Sequence, residues 1–193
     1  MMCDIAIKRT TRETDISLTL SPAGAAYSGS CGVGFLDHML AAFCTHSGLS
    51  LTLTMSGDLE VDCHHSVEDL GIVLGQALGQ LAGDKSAIAR YGSFRIPMDE
   101  ALGVCDLDFS GRAFLVFDAV FQNPAVGALD CCMVGEFFRA VAMNAGMTLH
   151  LSCPYGDNDH HKIEALFKAF AHALALALAP RTGGVLSSKG CLA

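Results

Sequence analysis

Two stretches of the chain share one figure. Residues 64–68 read HHSVE and residues 160–164 read HHKIE, so four of the eight histidines and two of the six glutamates fall into two copies of HHxxE. On a helix, residues four apart lie on one face, and the neighbour of the first points about 100° away. His64 with Glu68, and His160 with Glu164, can therefore grip one metal ion together, while His65 and His161 point elsewhere and can serve a second. Two copies related by pseudo-symmetry would give two sites, each with a His–Glu pair from one motif and a lone histidine from the other. Imidazole plus carboxylate suits zinc, manganese, iron, cobalt or nickel. None of the nine cysteines forms a CxxC pair, which argues against a structural thiolate zinc site. Asp62 and Asp159, at or just before the helix starts, are placed to cap free amides and favour the helix dipole.

The elements that must carry these residues come in a repeated order. Short alternating or β-rich runs predict strands at 15–20, 49–55, 101–107, 113–117 and 147–151. Apolar spacings of three and four predict helices at 36–44, 67–81, 136–145 and 161–179. Helix, the strand GLSLTL, a loop and the HHSVE helix in the first half match helix, the strand GMTLHL, a loop and the HHKIE helix in the second. Gly48 maps onto Gly146 and His64 onto His160, so the chain reads as an internal duplication. Each half is then a small α+β unit with helices packed on one sheet face. The two halves, 1–92 and 93–193, form one domain with a shared core or interface.

The repeat adds candidates. His38 lies on the helix before GLSLTL and is able to approach the HHxxE helices from a neighbouring element. Its repeat partner is Glu136, a further possible ligand. His150, whose counterpart is Thr52, breaks the symmetry and is the alternative. His46 and His172 have no supporting pattern and read as packing or surface residues. Arg90, Arg112, Lys168, Ser187, Ser188 and Lys189 are donors of the kind a phosphate needs. A GxxxxGK[ST] loop is absent, which weakens any ATPase or kinase reading. Glu13, in RTTRETD, is a candidate general base.

Composition sets the outer limits. Apolar residues make up 51% of 193, enough for a real core, while charged residues are only 17%, consistent with further burial in an oligomer. Net charge is −8, so non-specific nucleic-acid binding, which needs a basic face, is not expected. No apolar signal core opens the chain, and the longest apolar run, 165–179, is too short to span a bilayer. The cysteines read as reduced, mostly buried thiols of a cytoplasmic protein.

The segments GFLDHML, HHSVEDLGIVLGQAL, GSFRIPMDEAL, DFSGR, NDHHKIEALFKAFAHAL and SSKG, with RTTRET at 9–14, occur in the order found in the imidazoleglycerol-phosphate dehydratase family. The resemblance runs from about residue 5 to the C-terminus. It implies a duplicated α+β fold of the ribosomal protein S5 domain 2-like kind. It also implies a large homo-oligomer of twenty-four subunits with active sites between them, and two Mn2+ per site. The implied reaction takes water from imidazole glycerol phosphate to give imidazole acetol phosphate, a step in histidine biosynthesis. The implied metal ligands are His38, His64, His65, Glu68, His160, His161 and Glu164. Phosphate donors would be Arg90, Arg112, Lys168, Ser188 and Lys189, and Glu13 would contact substrate near the reacting carbon. One position departs from the pattern: where many members read EHFF, this chain reads GEFF, so Glu136 stands where a metal-binding histidine is usual. Carboxylate still suits Mn2+, and Glu136 is expected to ligate, with His150 as the fallback.

No carbonyl activates the substrate's C–H, so the imidazole ring must relay electrons as the hydroxyl leaves, and a carboxylate must move a proton. Glu13 and Glu164 are the candidates, with Glu68 less favoured. Two rival classes remain: a dinuclear metal hydrolase, and a non-catalytic metal store or sensor that would have no use for the Arg90, Arg112 and Lys189 cations.

Overall fold

The computed structural model describes residues 3–188. The chain opens with β1 (Ile5–Thr10), β2 (Thr14–Ser21) and β3 (Tyr27–Ser30), followed by α1 (Gly34–Ser47), β4 (Ser50–Gly57) and α2 (His64–Ala82). The second half repeats this with β5 (Tyr91–Met98), β6 (Ala101–Asp108) and β7 (Phe114–Asp118). A two-stranded ribbon, β8 (Ala125–Val126) with β9 (Leu129–Asp130), is inserted before α3 (Cys132–Ala145), β10 (Thr148–Ser152) and α4 (Asp159–Leu178).

The two four-stranded sheets have the same strand order, β1-β2-β4-β3 and β5-β6-β10-β7. In each, the first two pairings are antiparallel and the last is parallel. Leu18 lies opposite Leu53, and Cys105 lies opposite Leu151, the repeat partner of Leu53. The register thus extends the duplication to β2 and β6, whose sequences share little. Alternation sets the faces: Ile16, Leu18 and Leu20 point inward, as do Leu149 and Leu151. Matching left-handed glycine caps end the first helix of each half, Gly48 (φ 78°) donating to Cys44 O and Gly146 (φ 64°) to Ala142 O.

The halves are joined by exchange of helix partners. α2 packs on β1 and β2 and also on α3, while α4 packs on β5 and β6 and also on α1. The helices therefore lie between the two sheets, and one continuous core contains residues of both halves. α2 and α3 run parallel at very close range, because α2 presents glycines to the backbone of α3. A Cβ on Gly71 would lie 2.8 Å from Phe137 O, and one on Gly75 only 2.6 Å from Val141 O. Neither carbonyl can retreat without moving a helix. Gly75→Ala is expected to destabilise the chain by about 1–3 kcal/mol, seen as a lower urea midpoint with an unchanged slope.

The inner strands and all four helices fall where the sequence places them, within a few residues. Among the described residues, no helix is long and apolar enough to cross a membrane, and six of the eight described cysteines are buried.

Candidate active site

The N-terminal turn of α4 meets the first turns of α1. Asn158 caps α4, its side chain accepting from His160 N. Asp37 fixes the start of α1 by accepting from Tyr27 Oη (2.5 Å), Ser30 Oγ (2.6 Å) and Cys31 N (2.8 Å). With both helix ends held, His38, His160 and Glu164 bring one donor atom each within 4.8 Å of one another. Glu164 Oε2 is 3.2 Å from His160 Nε2 and 3.6 Å from His38 Nε2. Its other oxygen takes Lys168 Nζ at 2.6 Å. Burial alone would push the Glu164 carboxyl up, but the Lys168 ammonium and the two imidazoles outweigh it and hold the group below its ordinary range. The result is an ionised carboxylate with two imidazoles facing one point, a donor set that fits a divalent transition metal.

The first motif is laid out similarly but left open. His64 Nε2 is 3.5 Å from Glu68 Oε2, both half exposed. The repeat position of His38 is Glu136, and here it turns to Arg139 on its own helix at 2.9 Å. Among the described residues, no second group of three donors converges. The lone histidines are held away from the opposite motif: His65 Nδ1 lies 2.9 Å from Asp58 Oδ2, and His161 Nδ1 lies 2.7 Å from Glu100 Oε2. A site combining the His–Glu pair of one motif with the lone histidine of the other is thus not built within one chain. His150 is exposed on β10, between inward-facing Leu149 and Leu151, and so points from the sheet face opposite the helices.

Glu13 sits in the β1–β2 turn. Thr11 Oγ1 accepts from the backbone N–H groups of Glu13 and Thr14. Asp69 of α2 clasps the base of the turn, accepting from Thr14 Oγ1 (2.6 Å) and Arg9 Nη2 (2.9 Å). The Asp58 N–H donates to Glu13 O, which seats the turn beside the residue that holds His65. Glu13 and Asp58 line an open cleft of about 330 Å³ with Arg12, Thr14 and Ser56.

A sequence model of the imidazoleglycerol-phosphate dehydratase family matches residues 31–174. The chain belongs to the imidazoleglycerol-phosphate dehydratase family. It is 54% identical to the imidazoleglycerol-phosphate dehydratase of Listeria welshimeri over 187 residues, covering 95% of this chain and 96% of that one. It is 52% identical to that of Streptococcus sanguinis, covering 96% and 97%. The solved structure of the Staphylococcus aureus enzyme superposes with a TM-score of 0.84 at 43% identity, covering 92% of this chain and 99% of that one. Membership in the dehydratase family makes the chain a hydro-lyase.

The cations of this dehydratase-family chain do not gather at one point. Arg90 is buried, with Nε and Nη2 on the two Asp108 oxygens at 2.6 and 2.9 Å and Nη1 donating to Leu186 O. Three of its five N–H donors are thereby used, which leaves two. The Leu186 contact brings the segment bearing Ser188 toward Arg90; Lys189 lies outside the described residues. Arg112 is exposed beyond β6. Lys168 is elsewhere: the Arg90 N–H bonds Ala177 O, nine residues along α4 from Lys168 and so roughly 13 Å away, and Lys168 Nζ turns to Glu164 and Met98 Sδ.

One side chain departs from its expected role. Asp159 does not cap α4, because Asn158 does. Instead Asp159 is buried, ion-paired to Lys162 at 2.6 Å, and accepts from the backbone N–H groups of Gln122 and Asn123, tying the β7–β8 loop to the helix that carries the second motif. Asp62 does receive the His64 N–H, at 2.7 Å. His46 and His172, which had no supporting pattern, face each other across α1 and α4 with Nδ1 and Nε2 3.0 Å apart, and His172 stacks on Phe94. Spacing offered no signal for this pair, since His46 lies 8 residues past His38 and His172 lies 12 past His160.

Proposed function

We propose that this chain dehydrates imidazole glycerol phosphate to imidazole acetol phosphate in histidine biosynthesis. It does so in the cytoplasm as one domain of two repeats, 1–92 and 93–193. Two Mn2+ would be held per active site by His38, His64, His65, Glu68, Glu136, His160, His161 and Glu164. When bound, the ions would supply positive charge that favours the deprotonated imidazole ring of the substrate. The observation that carries the reading is the convergence of His38, His160 and Glu164 in a member of the dehydratase family.

The remaining work falls to the chain's own groups. Arg90, Arg112, Lys168, Ser188 and Lys189 anchor the phosphate and fix the ring and the leaving hydroxyl in register. Glu13 takes the proton from the carbon next to the one that loses its hydroxyl, which leaves the enol of the ketone product. Glu164 is already engaged by Lys168 and two imidazoles, and Glu68 stands half exposed beside His64, so Glu13 has the freer carboxylate. The separation of Lys168 from Arg90, and of the two HHxxE motifs, supports active sites completed by a second copy of the chain in a large homo-oligomer of twenty-four subunits.

The test is turnover of imidazole glycerol phosphate by the purified chain, chelated and then re-supplied with Mn2+, with particle size followed by light scattering. Activity should vanish with the metal and return with it, and the particle should shrink on chelation. A folded, Mn-loaded sample without turnover would overturn the reading, and hydrolysis of generic phosphate esters would favour the dinuclear hydrolase instead.

A further inference from the structure

We infer that Asp58 and Glu100 are positioning residues for the metal centre, each fixing one lone histidine of an HHxxE pair so that its Nε2 is left as the ligand atom. The inference rests on the metal reading above and goes beyond it, since neither carboxylate is among the ligands or the substrate contacts.

The geometry is the same in both halves. His65 Nδ1 lies 2.9 Å from Asp58 Oδ2, and His161 Nδ1 lies 2.7 Å from Glu100 Oε2. A carboxylate can only accept, so each ring carries its proton on Nδ1, which leaves Nε2 as the nitrogen able to ligate, with His161 Nε2 lying 3.6 Å from Asp99 Oδ2. A ligating imidazole needs this orientation and tautomer, and a partner on the other nitrogen also raises its basicity.

The Glu100 carboxylate is itself held. Glu100 Oε1 accepts from the backbone N–H groups of Asp157 and Asn158 at 3.1 and 2.7 Å. It therefore couples the β5–β6 turn to the cap of α4 and to His161 at once. The turn is bent through Asp99 in the left-handed region (φ 47°), a conformation few non-glycine residues adopt. Asp58 receives the His65 ring on one oxygen while its other oxygen is buried without a donor. A buried acceptor left unpaired opposes folding, so fold stability alone does not account for an acid at this position.

The two carboxylates are not repeat counterparts. The register that sets Leu18 against Cys105 places Glu13, not Asp58, at the position of Glu100, each residue directly preceding the second strand of its half. In the second half that turn carboxylate is occupied by His161. In the first half Asp58, at the end of β4, takes over the histidine. The turn carboxylate Glu13 is thereby released to face the cleft. The substitution of one acid for another explains how two equivalent turns come to have different chemical duties.

The test uses the full chain and MnCl2. Mn2+ affinity is measured by titration for the parent, Asp58→Ala, Glu100→Ala and Glu100→Gln, each shown folded by circular dichroism and with its melting temperature recorded. Both alanine variants should bind Mn2+ about 10–100-fold more weakly. Glu100→Gln should lie nearer the parent, because its amide oxygen still accepts the Nδ1–H. Raising Mn2+ should recover turnover in all three. Folded alanine variants with parental Mn2+ affinity and only a lower melting temperature would overturn the inference, reducing both carboxylates to loop fasteners. A parent that binds no Mn2+ would overturn the metal reading itself, and the two failures are told apart by the parent titration alone.

Discussion

Glu164→Gln is expected to lower turnover by about 10²–10⁴-fold while leaving the chain folded. Glu164 is the one group touched by His38, His160 and Lys168 together. The amide keeps the shape and loses the charge. His38 and His160 would then face a neutral oxygen or an N–H, and the site loses the anion that balances Lys168 and would balance a divalent ion. Lys168 Nζ keeps the Met98 Sδ contact and at most a neutral amide oxygen. The loss should divide between two measurements: weaker Mn2+ binding, and a lower kcat that excess Mn2+ does not restore. A variant within threefold of the parent in both would remove Glu164 from the site. Lys168→Met would then separate its role in holding Glu164 from a role on the phosphate, since the first lowers Mn2+ affinity and the second raises KM.

Asp108→Ala is expected to cost about 3–5 kcal/mol of stability, a larger effect than any surface substitution would give. The Arg90 side chain is 6% exposed and Asp108 19%. Removing the carboxylate strands a guanidinium that cannot lose its proton and leaves it the Leu186 carbonyl and the Tyr91 ring, 4.6 Å from its Cζ. Asp108 raises the Arg90 guanidinium further above its ordinary range, through the two hydrogen bonds it accepts. Urea unfolding should show the loss directly, and limited proteolysis should cut sooner near residue 186 as the C-terminal segment is released. A change under about 1 kcal/mol would mean the pair behaves as an exposed one. Asp108→Asn, which retains one acceptor for Nε, should fall between.

The sequence was legible on the inner strands, where one face is buried in the core, and less so at the edges of the two four-stranded sheets, where only β7 was expected. The inner strands β2, β4, β6 and β10 alternate strongly and were expected. The edge strands β1, β3 and β5 were not. IAIKRT buries no side chain fully, YSGS is short and small, and YGSFRIPM contains a proline, which an edge strand tolerates because its N–H need not enter the ladder. Among the site residues, the helical pairs could be read from spacing alone. Asp58 and Glu100 could not, because each acts across a loop, on a histidine 7 residues away in the first case and 61 in the second. Their only trace was an acid in a short turn next to a strand. The departure of Asp159 has the same origin: a helix-start aspartate is assigned as a cap by rule, and only tertiary packing shows that the loop at Gln122 and Asn123 has claimed it.

The exchange of helix partners has a consequence for how the two ends of the molecule came to differ. Helix α1 rests on α4 and α2 on α3, so the chain contains within itself the contact that two separate half-length chains would make across a two-fold axis. Separate copies would carry the same residue at both ends, whatever either end required. Joined in one polypeptide, each position is free to change alone. His38 matched by Glu136, and His46 and His172 matched by Asn144 and Gln76, are places where that freedom has been taken. The symmetry survives in the backbone, and the specialisation is written in side chains.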